Sequence, residues 1–233
     1  MMIELFPDGF EEREETDGVE LIAYTDWRGE ERLWHVFGPV RSSDVAADWG
    51  ERWRAFHRPV RVGPLWIGPP WLAAPEDATP VVIEPGRAFG TGAHATTRLC
   101  IELLLETTPA SLLDVGCGSG VIAIAAAKLG FAPVVALDRD PAAIDATRRN
   151  AAANDVSVEL ALADALREAA LPAAEVAVAN IALDAVQALG TRLRSLLFVA
   201  SGYLDAEEPA VAGFRRVARR AASGWAADLF ARE

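Results

Sequence analysis

Cysteine is nearly missing from this 233-residue chain: only Cys100 and Cys117 are present. Two thiols exclude a disulfide framework and a cysteine-built metal cluster, so no metal is expected and a reducing, cytoplasmic setting fits. Positive charge is scarce as well. Against 34 acidic residues stand 22 basic ones, for a net charge of −12, and Lys128 is the single lysine. That balance excludes broad nucleic-acid binding, which needs a basic face. Long apolar runs are missing too. The most apolar stretch, residues 121–127, is far short of the ~20 residues that a membrane-spanning helix requires. The acidic N-terminus has no signal-peptide core. Neither a nucleic acid nor a membrane is an expected partner.

What is present is unevenly spread. Six of the seven tryptophans precede residue 72, and alanine dominates after residue 120. This divides the chain into two regions, with a proline-rich connection from Pro64 to Pro80. The first 31 residues carry eleven acidic and two basic side chains, which read as a solvated surface or as a dock for a basic partner. Asp17-Gly18 predicts a hairpin over 11–24. Ser43-Asp44 caps a helix in which Val45, Trp49, Trp53 and Phe56 share a face, ending at Pro59. Val60 to Ile67 predicts a strand, followed by a rigid turn at Pro69-Pro70-Trp71.

From residue 80 the pattern alternates. Strands are expected over 81–84, 111–115, 134–138, 158–162, 176–179 and 197–201. Helices are expected over 96–106, 121–129, 141–153 and 184–196. Alternation of this kind predicts an α/β fold, a parallel sheet with helices on both faces. The tail is ambiguous by local pattern: Phe214, Val217, Ala218 and Ala221 suit a helix, whereas Ser223-Gly224 suits a hairpin.

The stretch Ser111 to Gly120 organises the rest. Leu112, Leu113 and Val115 end a buried strand, Gly116, Gly118 and Gly120 turn the chain, and a helix starts at Val121. Glycines let backbone approach a ligand, and a helix start offers unpaired N–H groups. A dinucleotide fingerprint would require a third glycine at position 121, where valine stands. Asp114 would repel a pyrophosphate but favours a cation, such as the amino and sulfonium groups of S-adenosylmethionine. Asp138 ends the next strand, 22 residues after Gly116, where a carboxylate accepts from both ribose hydroxyls. Asp164, after the third strand, suits the adenine amino group. S-adenosylmethionine, leaving as S-adenosylhomocysteine, is thus the expected cofactor, ahead of another nucleotide.

Three motifs carry a resemblance. Glu84-Pro-Gly-Arg-Ala-Phe-Gly-Thr-Gly-Ala-His-Ala-Thr-Thr97, Leu113-Asp-Val-Gly-Cys-Gly-Ser-Gly-Val-Ile-Ala-Ile-Ala-Ala126 and Val178-Ala-Asn-Ile181 resemble the bacterial ribosomal protein L11 methyltransferases of the PrmA type. The resemblance implies a Rossmann-like class I methyltransferase with a seven-stranded, mostly parallel sheet. It implies that Thr97, Gly116, Asp138 and Asn180 contact the cofactor, with Glu84 and Phe89 shaping the wall above it. It implies that 214–222 and 225–231 are strands. It also divides the chain into 1–72, a truncated substrate-recognition region with a helix and linker, and 73–233, the S-adenosylmethionine-binding domain. The family's substrate is a small basic ribosomal protein, methylated on lysine side chains and its N-terminal amine.

The chain departs from that pattern in places. The resemblance implies that the sequence enters the family's N-terminal domain partway, since Leu5-Phe-Pro-Asp-Gly-Phe10 looks like the end of the family's first helix. The glycine-containing loop before strand five is missing, and the family's Asn-Ile-Leu-Ala becomes Asn180-Ile-Ala-Leu183. The expected mechanism is in-line methyl transfer to a neutral amine, oriented by Asn180 or by the carbonyl after it. Methylation of another protein or a small molecule is the alternative, and a catalytically inactive binding module a further one. His94 is expected to anchor its loop, Cys117 to fill the turn, and His35 and His57 to be surface or packing residues.

Overall fold

A computed structural model describes residues 11–15, 18–23, 25, 27–42, 57–85 and 92–233. The chain divides into two compact units, Met1–Arg54 and Ala55–Glu233.

In the first unit, strands β1 (Glu11–Glu15) and β2 (Gly18–Ile22) pair antiparallel from Glu11↔Ile22 to Glu15↔Gly18. The hairpin expected at Asp17-Gly18 is therefore formed. Helix α1 (Trp27–Phe37) follows, an element that the sequence reading did not mark. Gly38 closes it in the left-handed region, φ 79°, donating its N–H to the Trp34 carbonyl at 3.0 Å. The helix expected around Trp49 and Trp53 lies outside the described residues.

The second unit opens with a small sheet in the order β3-β4-β5. Strands β3 (Val60–Val62) and β4 (Leu65–Gly68) form a hairpin, and β5 (Thr79–Val82) runs parallel to β4. Three expectations are corrected here. The single strand over 60–67 is two, because Gly63-Pro64 turns the chain. The proline-rich stretch is built into this sheet instead of linking two regions. The strand expected at 81–84 starts at Thr79, ends at Val82 and lies outside the main sheet.

The main sheet has seven strands in the order β11-β12-β10-β9-β6-β7-β8. They are β6 (Leu112–Val115), β7 (Val134–Asp138), β8 (Glu159–Leu162), β9 (Val176–Asn180), β10 (Leu197–Leu204), β11 (Phe214–Ala222) and β12 (Trp225–Arg232). All pairings are parallel except the two that β12 makes. The expected seven-stranded, mostly parallel sheet is what forms. The chain runs outward from β6 to β8, then returns to place β9 on the other side of β6. Strand order therefore reverses at β6/β9, where a sheet of this kind opens a ligand crevice at its carboxyl edge.

Side-chain alternation builds two cores. Leu112, Val134, Ala136, Val176, Val178 and Val199 point into one, where α2 (Ala95–Leu105), α3 (Val121–Lys128), α4 (Pro141–Ala153) and the small sheet pack. Leu113, Val115, Leu137, Ala177, Ala179 and Phe198 point into the other, covered by α5 (Leu183–Leu189). Truncating a fully buried leucine such as Leu113 to alanine costs about 2–5 kcal/mol.

Helix α5 stops well short of the expected residue 196. A Cβ on Gly190 would lie 2.7 Å from the Ala212 backbone nitrogen, so the chain passes close there. Arg232 then takes the Leu193 and Ser195 carbonyls at 2.6 and 2.8 Å, which removes them from any helical ladder. The tail is a hairpin, not a helix. Ser223 and Gly224, with φ of 53° and 76°, form its turn. Asp228, wholly buried on β12, accepts from the Tyr203 hydroxyl at 3.0 Å and from Arg219 at 3.1 Å. Among the described residues, no helix is long and apolar enough to cross a membrane, and no acidic, His or Cys group could hold a metal ion.

Candidate active site

The site is built on the carboxyl ends of β6, β7 and β9. Gly116, Gly118 and Gly120 have φ of 76°, 56° and 81°. A side chain is strained in that region, so three left-handed residues in five explain the three glycines. The turn is tied to β7 at its start: Gly116 and Cys117 both donate their N–H groups to the Leu137 carbonyl, at 2.8 and 3.1 Å. The space beside it is tight. A Cβ on Gly116 would sit 2.7 Å from Ile181 Cγ2, and one on Gly120 would sit 2.6 Å from Thr147 Cγ2.

Asp138 stands where β7 ends. Its Oδ2 accepts from the Gly118 N–H and its Oδ1 from the Asp140 N–H, each at 3.0 Å. The carboxylate is thereby held in one orientation beside the turn, and each oxygen keeps a further lone pair for a donor. Asp140 in turn caps α4 by accepting from the Ala142 N–H at 2.9 Å.

Asp114 is 1% exposed. Its Oδ2 accepts from the Ala123 N–H at 3.1 Å, so it is joined to the first turn of α3. Burial pushes its carboxyl up to about 7, against the Ala123 amide and with added repulsion from Asp138. A raised carboxyl favours the fold in its protonated form. The stability it contributes is complete below about pH 4, its unfolded value, and is lost as the pH rises to about 7. Asp114→Asn keeps an acceptor for Ala123 and removes the titration. Thermal melts from pH 4 to 8 should show the variant gaining on the native chain up to about pH 7 and levelling off above it. A gap independent of pH would refute this reading.

Asn180 ends β9, beside the crevice, and its Nδ2 lies 3.5 Å from Thr97 Oγ1 on α2. The structure thus brings together two residues 83 positions apart. His94 caps α2: its Nδ1 lies 2.8 Å from Thr96 Oγ1 and takes the Thr96 N–H at 3.4 Å. Its ring stands edge-on to Trp225 at 5.0 Å. Burial and the Arg98 guanidinium lower its pKa, which suits a neutral capping acceptor. The Cys117 thiol lies 3.4 Å from Thr147 Oγ1, and burial pushes it up to about 12, so it is no nucleophile at neutral pH.

Asp164 lies past β8, further from the turn in chain order. Its Oδ1 accepts from the Leu166 N–H at 3.0 Å and its Oδ2 faces Arg167 at 3.4 Å. This carboxylate therefore also caps its own loop. Phe89 lies outside the described residues. Glu84 is exposed, and its N–H donates to Asn150 Oδ1 at 3.1 Å.

That last bond points to residues the sequence reading missed. Thr147 on α4 donates its hydroxyl to the Gly118 carbonyl at 3.1 Å, and Asn150 donates to the Ser119 carbonyl at 2.9 Å. A signal for them was present: Thr147, Asn150 and Asn154 recur at i, i+3 and i+7 along and just past a helix that otherwise buries Ala143, Ile144 and Ala151.

The comparisons with known proteins point the same way. The family model described as ribosomal protein L11 methyltransferase (PrmA) matches residues 10–226. The ribosomal protein L11 methyltransferase of Symbiobacterium thermophilum is 43% identical over 201 residues, which is 78% of this chain and 65% of that protein. The protein of the same name from Aliivibrio salmonicida is 41% identical over 176 residues, 72% of this chain and 60% of its own length. This chain thus spans less than two thirds of the length of these relatives. The solved structure of the ribosomal protein L11 methylase from Lactobacillus delbrueckii subsp. bulgaricus superposes with a TM-score of 0.66 at 27% identity, covering 76% of this chain and all of that one. With its central sheet, glycine turn and motifs in place, the chain belongs to the ribosomal protein L11 methyltransferase (PrmA) family.

Proposed function

We propose that this chain is an S-adenosylmethionine-dependent methyltransferase acting on amino groups, lysine or N-terminal, of ribosomal protein L11 or a similar basic protein. One observation carries the reading beyond family membership. The Asp138 carboxylate is locked against the glycine turn by Gly118 and Asp140, and the Asn180–Thr97 pair stands at the neighbouring strand end. The donor set fits the cofactor. Asp138 receives the ribose hydroxyls and Asp164 is assigned to the base; Asp114 is assigned to the amino acid end, whose positive charge would favour the ionised carboxylate that burial disfavours. Gly116, Gly118 and Gly120 let the backbone approach.

When bound, S-adenosylmethionine would supply an electrophilic methyl group: the amine nitrogen bonds to it as the methyl–sulfur bond breaks, S-adenosylhomocysteine leaves, and the product ammonium loses a proton to water. The protein's task is to position and to desolvate. A lysine amine has an ordinary pKa near 10.4 and must be neutral to react, and a site that excludes water favours that form. Asn180 directs Nδ2 toward Thr97 Oγ1, so Oδ1 is the atom left to accept from the attacking amine. The Ile181 carbonyl, next along the chain, is the second acceptor. Holding the lone pair along the methyl–sulfur axis supplies most of the rate gain. The acidic first 31 residues complement a basic acceptor protein.

The test is direct. The protein is mixed with S-adenosylmethionine and purified ribosomal protein L11, and added methyl groups are read by mass spectrometry. Methylated L11 is the expected product. Cofactor binding without it would move the reading to another acceptor, and absence of binding would sink both. Asn180→Ala should lower the rate by about 100-fold while S-adenosylhomocysteine affinity falls much less. Equal losses in both would mean that Asn180 only holds the cofactor.

A further inference from the structure

Thr147 and Asn150 on α4, and Asn154 capping its C-terminal end, are 0%, 3% and 4% exposed, a polar stripe inside a core. Buried polar groups are unfavourable unless bonded, and these are bonded chiefly to backbone. Asn154 clasps Val82 at the edge of the small sheet, accepting from its N–H at 2.8 Å and donating to its carbonyl at 2.6 Å. A third bond returns to the Asn150 carbonyl at 2.8 Å. Asn154 therefore completes β5, as a neighbouring strand would.

Asn150 does something different. Its Oδ1 accepts from the Glu84 N–H at 3.1 Å, and its Nδ2 donates to the Ser119 carbonyl at 2.9 Å. A single amide thus joins the segment leaving β5 to the glycine turn. Three glycines in five residues give that turn little steric restraint; the Gly120 N–H closes it onto the Cys117 carbonyl at 2.8 Å, and α4 holds it from the other side. Because a peptide unit is planar, holding the Gly118 and Ser119 carbonyls, through Thr147 and Asn150, sets the rotation of both peptides and the direction in which their N–H groups point.

We propose that Asn150 is a positioning residue for cofactor binding, because its side-chain amide registers the glycine turn against the end of β5. The proposal rests on the methyltransferase reading above. It separates Asn150 from Asn154, which anchors the strand without touching the turn.

The experiment compares Asn150→Ala, Asn150→Asp and Asn154→Ala by calorimetric titration with S-adenosylhomocysteine, by urea unfolding and by hydrogen exchange of the 116–120 amides. Asn150→Ala should weaken binding by at least ~10-fold, about the worth of one buried hydrogen bond, and speed exchange in the turn. Asn150→Asp keeps an acceptor for Glu84 but loses the donor to Ser119, so it should show the same loss. Asn154→Ala should lose at least as much stability yet bind within about threefold of the native chain. Native affinity in Asn150→Ala, or affinity losses that merely follow stability across all three variants, would overturn the proposal. If the native protein bound no S-adenosylhomocysteine, the methyltransferase reading would fall and exchange alone would decide. Faster exchange at 116–120 in Asn150→Ala but not Asn154→Ala supports the positioning role, and unchanged exchange refutes it.

Discussion

Asp138→Ala is expected to abolish measurable cofactor binding. The carboxylate is held by two backbone amides, from Gly118 and Asp140, so on the proposed reading it would meet ribose hydroxyls without reorganising. Hydrogen bonds to a charged acceptor contribute about 1.5–3 kcal/mol each, and losing two corresponds to roughly 100-fold to 10,000-fold in affinity. The same change frees the Gly118 and Asp140 N–H groups, which loosens the turn and the start of α4 and adds to the loss. Asp138→Asn keeps one acceptor and should fall between the two. Calorimetric titration with S-adenosylhomocysteine reads all three proteins. An Asp138→Ala affinity within about threefold of native would place the ribose elsewhere.

Gly202→Ala is expected to be among the most destabilising single-methyl changes in the chain. Gly202 sits in the bulge between Ser201 and Tyr203 on β10, with φ 105°. An added Cβ would lie 2.1 Å from the Ile181 carbonyl oxygen and 2.9 Å from its nitrogen. Those are backbone atoms, and Ile181 is already bonded through its N–H to the Ser201 carbonyl at 3.0 Å. Neither side can yield without moving the end of β9 that carries Asn180. Backbone strain of about 1–3 kcal/mol and overpacking of a similar size add to roughly 2–6 kcal/mol. A typical domain has only about 5–15 kcal/mol to lose. Gly224→Ala is the control: φ is 76° there and nothing lies within 4 Å of the added carbon, so only the backbone cost of roughly 1 kcal/mol remains. Urea unfolding separates the two, and equal losses would show that the Ile181 carbonyl can move aside at little cost.

The fold was legible wherever one chemical signal dominated a segment. Pro141 behind Asp140 marked a helix that runs to Ala153 as expected. Leu112 to Val115, Val134 to Asp138 and Val176 to Asn180 were readable as strands because strands buried on both faces are continuously apolar. Reading failed where distant residues decide. The end of α5 is set by Ala212 and Arg232, whereas α1 carries a clearly amphipathic pattern that the sequence reading passed over. The tail was undecided by local pattern and became a hairpin because Ser223 and Gly224 adopt positive φ together.

The candidate site divides in the same way. Asp114, Gly116, Gly118, Gly120 and Asp138 are close in sequence to the strand ends that present them, so their spacing alone placed them together. The order of these motifs was enough to indicate the family. Tertiary structure alone decided the rest. Asn180 meets Thr97 across 83 positions, and Asn150 joins Glu84 to Ser119. Gly202 leaves room for the Ile181 carbonyl. Spacing along a chain reports only contacts within one strand-turn-helix unit. A bond between units depends on sheet order and packing distance, and no local pattern carries either.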